Sequence, residues 1–259
     1  MQFDDTLKRF IAQLEIGLKT KFAQEITPGV LSLSSAEPEF TLFIYTAQHI
    51  ITRLPNPTKK TYHIDIDQVV SANEKITARL LALLENGQTV YARTTVAARI
   101  DKKVSIDFQQ DHHLQSAIPG KYRYGLFHKG ELVSIAVFSG GRRMRDKPDD
   151  YRSFELIRFC HKSKIRVVGG LSKLIRAFIK DFKPGDIMSY VDRDWTHASS
   201  LNTIGFTERG RTAPHEFWIN EGFRHPVQNE LVLAELKKMY PEGYLIQNSG
   251  SSKLVLELL

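Results

Sequence analysis

Two adjacent glycines, Gly169 and Gly170, stand between the strand-like run RVV that ends at Val168 and a strongly amphipathic segment that begins at Leu171. Leu171, Leu174, Ile175, Phe178, Ile179 and Phe182 recur at helical spacing, Lys173, Arg176 and Lys180 fall on the other face, and Pro184-Gly185 ends the element. The spacing therefore predicts a helix that starts at about Gly169 or Gly170. The first N–H groups of a helix have no intrahelical partner and carry about half a positive charge, so a phosphate is held there when no Cβ blocks its approach. The competing reading of the glycines is a tight turn that packs a helix closely on a sheet. The phosphate motifs G-x-x-x-x-G-K-[ST] and G-x-G-x-x-G are both absent.

Charge points the same way. Lys and Arg exceed Asp and Glu by 36 to 29, a formal charge of +7, which favours an anionic partner without naming one. Arg142, Arg143, Arg145 and Lys147 cluster in SGGRRMRDKPDD, and Arg158, His161, Lys162, Lys164 and Arg166 cluster just before the glycine turn. Such runs are commonly solvated faces. A run beside a phosphate site also suits a phosphorylated cofactor, or DNA or RNA bound through the first group.

Other features exclude classes. The single cysteine, Cys160, leaves no internal disulfide and no cysteine zinc site, and its apolar flanks suggest a buried structural thiol. MQFDDTLKRF has acids where a secretion signal is basic, and no apolar run approaches the ~20 residues that span a bilayer, so a cytoplasmic protein without membrane contact is expected. No histidine, aspartate and glutamate spacing is diagnostic of a metal, and none is expected.

The pattern of elements gives an α/β chain with a mixed central sheet flanked by helices. Residues 3 to 26 read as one amphipathic helix carrying Phe3, Leu7, Phe10, Ile11, Leu14, Leu18 and Phe22. That apolar stripe could instead dock a partner chain. FTLFIY is a strand, Pro55-Asn56-Pro57 a loop and YHIDID a strand. Ser71-Ala72-Asn73-Glu74 has capping-box form before a helix with Ile76, Leu80, Leu83 and Leu84 that Asn86-Gly87 closes. Beyond them VAARI is a strand, DKKVSIDFQQDHHL a helix, and YRYGLFHKGELVSIAVFS a hairpin turning at His128-Lys129-Gly130. RSFELIRFC, the glycine-turn helix, DIMSYV, a short helix from His197 to Thr203 ended by Gly205, and the strand EFWIN follow. ELVLAELKKMY is a helix, and KLVLELL a last strand after the turn Gln247-Asn248-Ser249-Gly250. The expected domains are an N-terminal α/β extension over 1–92, a central domain over 93–225, and a helix and strand over 226–259 packing on it.

This order over residues 95 to 221 resembles the GNAT acyltransferase superfamily. There the acyl-CoA pyrophosphate sits on a [QR]-x-x-G-x-[GA] turn. Arg166 and Gly169, followed by Ser172-Lys173, match, and Leu171 stands where the last Gly or Ala is expected. SSLNTIGF is similar to the family's A-x-x-L-Y-x-x-x-G-F segment at Gly205 and Phe206, with Leu201 at the position of the usual general-acid tyrosine. The wording of YGLFHKGELVSIAVFS, SFELIRFC, VVGGLSKLI and SYVDRDW also resembles a divergent phage and bacterial GNAT-like group. That group is sometimes appended to homing-type nucleases and is related to Mom-type proteins that modify adenine in DNA.

The resemblance implies an acyl-CoA held by the N–H groups of Gly169, Gly170, Leu171 and Ser172 with charge from Arg166 and Lys173. It implies an N-acyl transfer where two central strands part, or a nucleobase modification with nucleic acid as partner. Glu155 is the better base on its strand. Glu155 and Arg158 are three apart and point to opposite faces unless a bulge intervenes, and Glu155 could instead sit in a structural ion pair. Asp192 is a second candidate base and Tyr190 a candidate acid, at a strand's C-terminal edge. Asp194 could simply cap the next segment. His113 would lie toward the acceptor, its neighbour His112 toward solvent.

Overall fold

The computed structural model describes residues 2–46, 52–58, 60–84, 87–195 and 201–258. The described elements are, in chain order, α1 (Gln2–Leu18), β1 (Ala23–Thr27), β2 (Val30–Ala36), β3 (Glu39–Tyr45), β4 (Thr61–Asp65), α2 (Ile66–Leu83), β5 (Gln88–Tyr91), β6 (Val96–Arg99) and α3 (Lys102–His112). There follow β7 (Tyr122–His128), β8 (Glu131–Phe138), β9 (Ser153–His161), β10 (Ile165–Val168), α4 (Gly170–Phe182) and β11 (Asp186–Asp192). The chain continues with β12 (Thr207–Arg211), β13 (Glu216–Asn220), β14 (Phe223–Val227), α5 (Glu230–Met239), β15 (Tyr244–Gln247) and β16 (Ser251–Glu257). No described helix is long and apolar enough to cross a membrane.

The chain folds into two compact units, each made from separate segments. The first takes residues 1–84, 192–198 and 211–252, and the second 85–191, 199–210 and 253–259. This division differs from the expected boundaries. Most of 226–259 belongs with the N-terminal residues, because β13 of EFWIN pairs with β14 and β15 in a three-stranded sheet and does not close the large one.

In the first unit the strand order is β1-β2-β3-β4, antiparallel except for the parallel pair β3–β4. Helix α1 buries Phe10, Ile11 and Leu14, and Gly17 lets it approach α2 so closely that a Cβ there would lie 2.6 Å from Leu81. The apolar stripe is thus consumed inside the unit; the side chain of Phe3 lies outside the described residues. The helix ends eight residues sooner than its periodicity predicts. Lys19 takes a left-handed conformation at φ +54°, and the bonds Thr20 N–H to Glu15 O and Lys19 N–H to Ile16 O close a Schellman turn. Phe22 keeps the helical spacing but packs edge-on to Phe40 from the extended chain beyond. The other correction is at α2. It starts at Ile66, capped by Asp65 and Gln68, so that YHIDID is a strand only through Asp65 and the Ser71–Glu74 box coincides with a kink at Ala72.

The second unit is built on a seven-stranded sheet ordered β12-β16-β11-β9-β8-β7-β6. Strands β6 to β9 form an antiparallel run; β9 and β11 are parallel neighbours joined through α4. Leu258 N–H bonds to Gly185 O and Thr207 Oγ1 to Val255 O, which seats β16 between β11 and β12. A second, two-stranded parallel sheet pairs β10 with β5. The apolar face of α4 enters an aromatic core in which Phe178 stacks on Phe138 at 4.0 Å and meets Phe154 edge-on. On the opposite face of the sheet, Phe108 of α3 packs with Ile135, Val137 and Cys160, which makes the lone cysteine a core residue.

Candidate functional site

The site begins where two parallel strands part. Strand β11 pairs with β9 only at Asp186–Ser153, Ile187–Phe154 and Met188–Glu155. One residue on, Ser189 reaches across with its hydroxyl to the carbonyl of Leu156 at 2.9 Å, and the ladder stops. The register of β9 against β8 shifts at the same level: Phe138 faces Leu156 and Val137 faces Arg158, which leaves Ile157 as the extra residue of a bulge. The bulge reverses the expected alternation. Arg158 lies opposite Val137, on the face of Phe108 and Cys160, and Glu155, next to the core residue Leu156, turns to that face as well. Glu155 and Arg158 therefore share one side of the sheet, where the strands separate.

Arg158 donates from Nη1 to Ile157 O at 2.9 Å, and from Nη2 and Nε to Ser116 O at 3.3 and 3.4 Å. Burial lowers its pKa, while the nearby Glu155 carboxylate works in the opposite direction. Among the described residues neither side chain has an ion-pair partner, so the structural ion pair weighed for Glu155 does not form. Tyr190 follows on β11, two residues past the last paired position and 46% exposed.

The crossover between these strands carries the glycine turn. Gly169 caps α4 in a left-handed conformation at φ +76°, which a glycine adopts without strain. Lys173 N–H makes the first intrahelical bond, to Gly169 O. Among the described residues no protein acceptor meets the N–H groups of Gly170, Leu171 or Ser172. The geometry leaves room for both readings of the glycines: Gly169 is exposed at a helix end, and Gly170 is buried where a Cβ would lie 3.0 Å from Val167. Leu171 is 7% exposed and Leu201 5%, and both belong to the core around Phe178.

Lys173 does something else than expected. Its ammonium group donates to Ala92 O at 2.9 Å and to Thr95 O, clamping the short turn that follows β5. Arg166, on β10 opposite Thr89, is exposed; burial, and after it the Arg166 charge, lowers the His161 pKa to about 4. Ser134 Oγ lies 3.0 Å from Cys160 O and 3.0 Å from His161 Nδ1, so the imidazole is tied to the hydroxyl between β8 and β9. Sequence reasoning passed over this histidine because a charged cluster surrounds it.

A groove of about 430 Å³ runs beside the open helix end, lined by Ser172, Ile175, Arg176, Thr203, Ile204 and Leu256 among others. The last three come from the turn Asn202–Ile204 and from β16. Their separation in the chain hid them from pattern reading. The expected helix from His197 falls partly outside the described residues; the described turn ends at Gly205 with φ +102°.

The remaining candidates make contacts of their own. His113 caps α3, its Nδ1 accepting from Gln115 N–H at 3.0 Å, while His112 contacts Ser163 and the ring of Phe108. Asp192 belongs to the first unit, where its Oδ1 accepts the Asp194 N–H at 2.9 Å. Burial and the Asp194 charge raise its pKa to about 6. Of the basic loop, Arg143 pairs with Asp149, Arg142 contacts the Met188 sulfur, Lys147 lies over the Tyr151 ring, and Arg145 is exposed.

No protein-family model matches this chain, and no curated protein matches it in sequence. Solved structures do. The Escherichia coli ribosomal-protein-S18-alanine N-acetyltransferase is similar at 10% identity over 63% of this chain and 93% of that one, with a TM-score of 0.41. An N-acetyltransferase from Staphylococcus aureus Mu50 is similar at 12% identity over 64% and 99%, with a TM-score of 0.39. A GNAT family acetyltransferase from Elizabethkingia anophelis with acetyl-CoA bound is similar at 11% identity over 64% and 99%, with a TM-score of 0.35.

Proposed function

We propose that the second unit binds an acyl-CoA and transfers its acyl group to an amine. The observation that carries this reading is the open N-terminus of α4, with three unclaimed N–H groups, on the crossover between two parallel strands that part just beyond Glu155. A pyrophosphate fits such an end by charge and by hydrogen bonding, and Gly169 offers no Cβ to obstruct it. Ser172 and Arg176 would line its approach from the groove, while Lys173 stays with its carbonyls.

A thioester brings an acyl carbon already open to attack, so the chain must supply position and proton traffic. Glu155 sits at the point of separation and takes a proton from the acceptor ammonium. With a core leucine at position 201, the exposed Tyr190 hydroxyl is the group left on β11 to give a proton to the departing thiolate. Asp192 and His113, tied to Asp194 and Gln115, have no part in this scheme.

Calorimetry with acetyl-CoA and with CoA tests it. Gly170 is a poor place for a blocking substitution, since a Cβ there would lie 3.0 Å from Val167 and mix a change of packing with any loss of binding. Ser172→Glu is better: it adds negative charge to the first turn of α4, and the expected result is affinity weakened at least about tenfold, with unchanged melting. Absence of binding by the wild-type chain removes the reading.

A further inference from the structure

The two side chains that the bulge brings to one face are a carboxylate and a guanidinium, and neither neutralises the other. Glu155 and Arg158 are close enough for the carboxylate to act on the guanidinium, yet they form no ion pair. Of the five N–H groups of Arg158, three are spent on the carbonyls of Ile157 and Ser116. One N–H on each terminal nitrogen is left over, and no described carboxylate takes them. Glu155 has its backbone N–H on Ser139 Oγ, while its carboxylate has no cation partner among the described residues. A face with one unpaired acceptor charge and one unpaired donor charge, held in order by a bulge, is complementary to a molecule that carries both charges.

We propose that the acyl acceptor is an amino acid, an amine with a carboxylate beside its ammonium group, whose carboxylate is held by Arg158 and whose ammonium faces Glu155. The inference rests on the acyl-transfer reading above. Arginine suits the task because its paired N–H groups match the two oxygens of a carboxylate. The ammonium gives one proton to Glu155, and the freed nitrogen lone pair forms the C–N bond as the C–S bond breaks. The sulfur leaves with the bonding pair and receives the second nitrogen proton by way of Tyr190. The products are the N-acyl amino acid, the CoA thiol and one proton, which Glu155 returns to water.

The experiment measures CoA thiol release by the full chain from acetyl-CoA, with pairs of acceptors that differ only in the carboxylate: phenylalanine with phenethylamine, leucine with isoamylamine, and lysine with cadaverine. The expected result is that at least one amino acid is acylated ten or more times faster than its decarboxylated partner. Arg158→Gln should raise the KM of that amino acid at least tenfold, leave the KM of acetyl-CoA unchanged, and bring the two acceptors within about twofold. Arg158→Lys, which keeps the charge and loses the paired geometry, should fall between. Equal or faster acylation of the decarboxylated amines overturns the proposal and leaves acyl transfer standing. Persistence of the preference in Arg158→Gln overturns it too, as does acetyl-CoA binding with no thiol release from any acceptor. Failure to bind acetyl-CoA removes both.

Discussion

The interiors of the two units solve opposite problems. In the first, three buried aspartates are answered by two arginines. Arg53 grips Asp65 at 2.7 and 2.8 Å and reaches Asp194 at 3.1 Å, while Arg224 grips Asp67 at 2.7 and 3.0 Å and reaches Asp65 at 2.9 Å. Asp65 also caps α2, and Asp194 accepts the Ser249 N–H. In the second unit the interior is aromatic, and among the described residues the first N–H groups of α4 meet no protein acceptor and Glu155 and Arg158 form no ion pair, while Arg123 Nε is buried without a partner. The carboxylates of the first unit hold structure together, although Arg53 Nε is itself buried without a partner among the described residues; groups left open at the surface are where a ligand is to be sought.

The largest test of this contrast is to break the network. Asp67→Ala leaves Arg224 short of its bidentate partner inside the first unit. Removing one member of a buried pair costs about 3–5 kcal/mol, whereas replacing both with apolar groups of similar volume costs much less. Urea unfolding of Asp67→Ala, Arg224→Met and the double variant should show the double as more stable than Asp67→Ala alone. A cost below about 1 kcal/mol for Asp67→Ala would place the network among weak surface pairs.

Acidity sharpens the comparison next. The His161 pKa is lowered from 6.5 to about 4, so stability it contributes is full above 6.5 and lost as the pH falls toward 4. The Asp192 pKa is raised from 3.8 to about 6, so its contribution is full below 3.8 and lost as the pH rises through 6. Each shift corresponds at most to about 3 kcal/mol, with opposite sign in the two units. Asp192→Asn should stabilise the chain at pH 7 and do nothing at pH 3.5; His161→Gln should flatten the loss between pH 6.5 and 4. Hydrogen exchange read unit by unit at pH 4.5 and 7 checks both, and parallel changes in the two units would contradict the assignment.

The smallest effect concerns Lys173. Losing its two carbonyl contacts in Lys173→Met should cost about 1–2 kcal/mol and loosen residues 92–95, while acetyl-CoA affinity changes less than threefold. A tenfold loss of affinity at unchanged stability would instead make it a phosphate ligand.

How much of this the sequence discloses depends on how local the cause is. The glycine-turn helix and the β7–β8 hairpin are legible because hydrophobic period and turn residues lie within a single stretch of chain. The end of α1 is not, since a lysine stands where a glycine would mark it. The bulge at Ile157 follows from how β8 and β9 slide against each other, and it alone decides that Glu155 and Arg158 share a face. In the sequence Lys173 has the look of a phosphate cation, because its carbonyl partners lie 78 and 81 residues away. The network leaves no mark in the sequence pattern, its partners Asp67 and Arg224 being 157 residues apart.

That last separation governs how the chain can be made. Asp65 and Asp67 leave the ribosome long before Arg224 is synthesised, and the strand β16 that completes the large sheet comes later still. A fragment cut at residue 84 would bury two carboxylates with no guanidinium from Arg224 to meet them, and one cut at 225 would lack β16. Neither cut keeps a unit whole, so dissection of this protein is best made by point substitution in the intact chain.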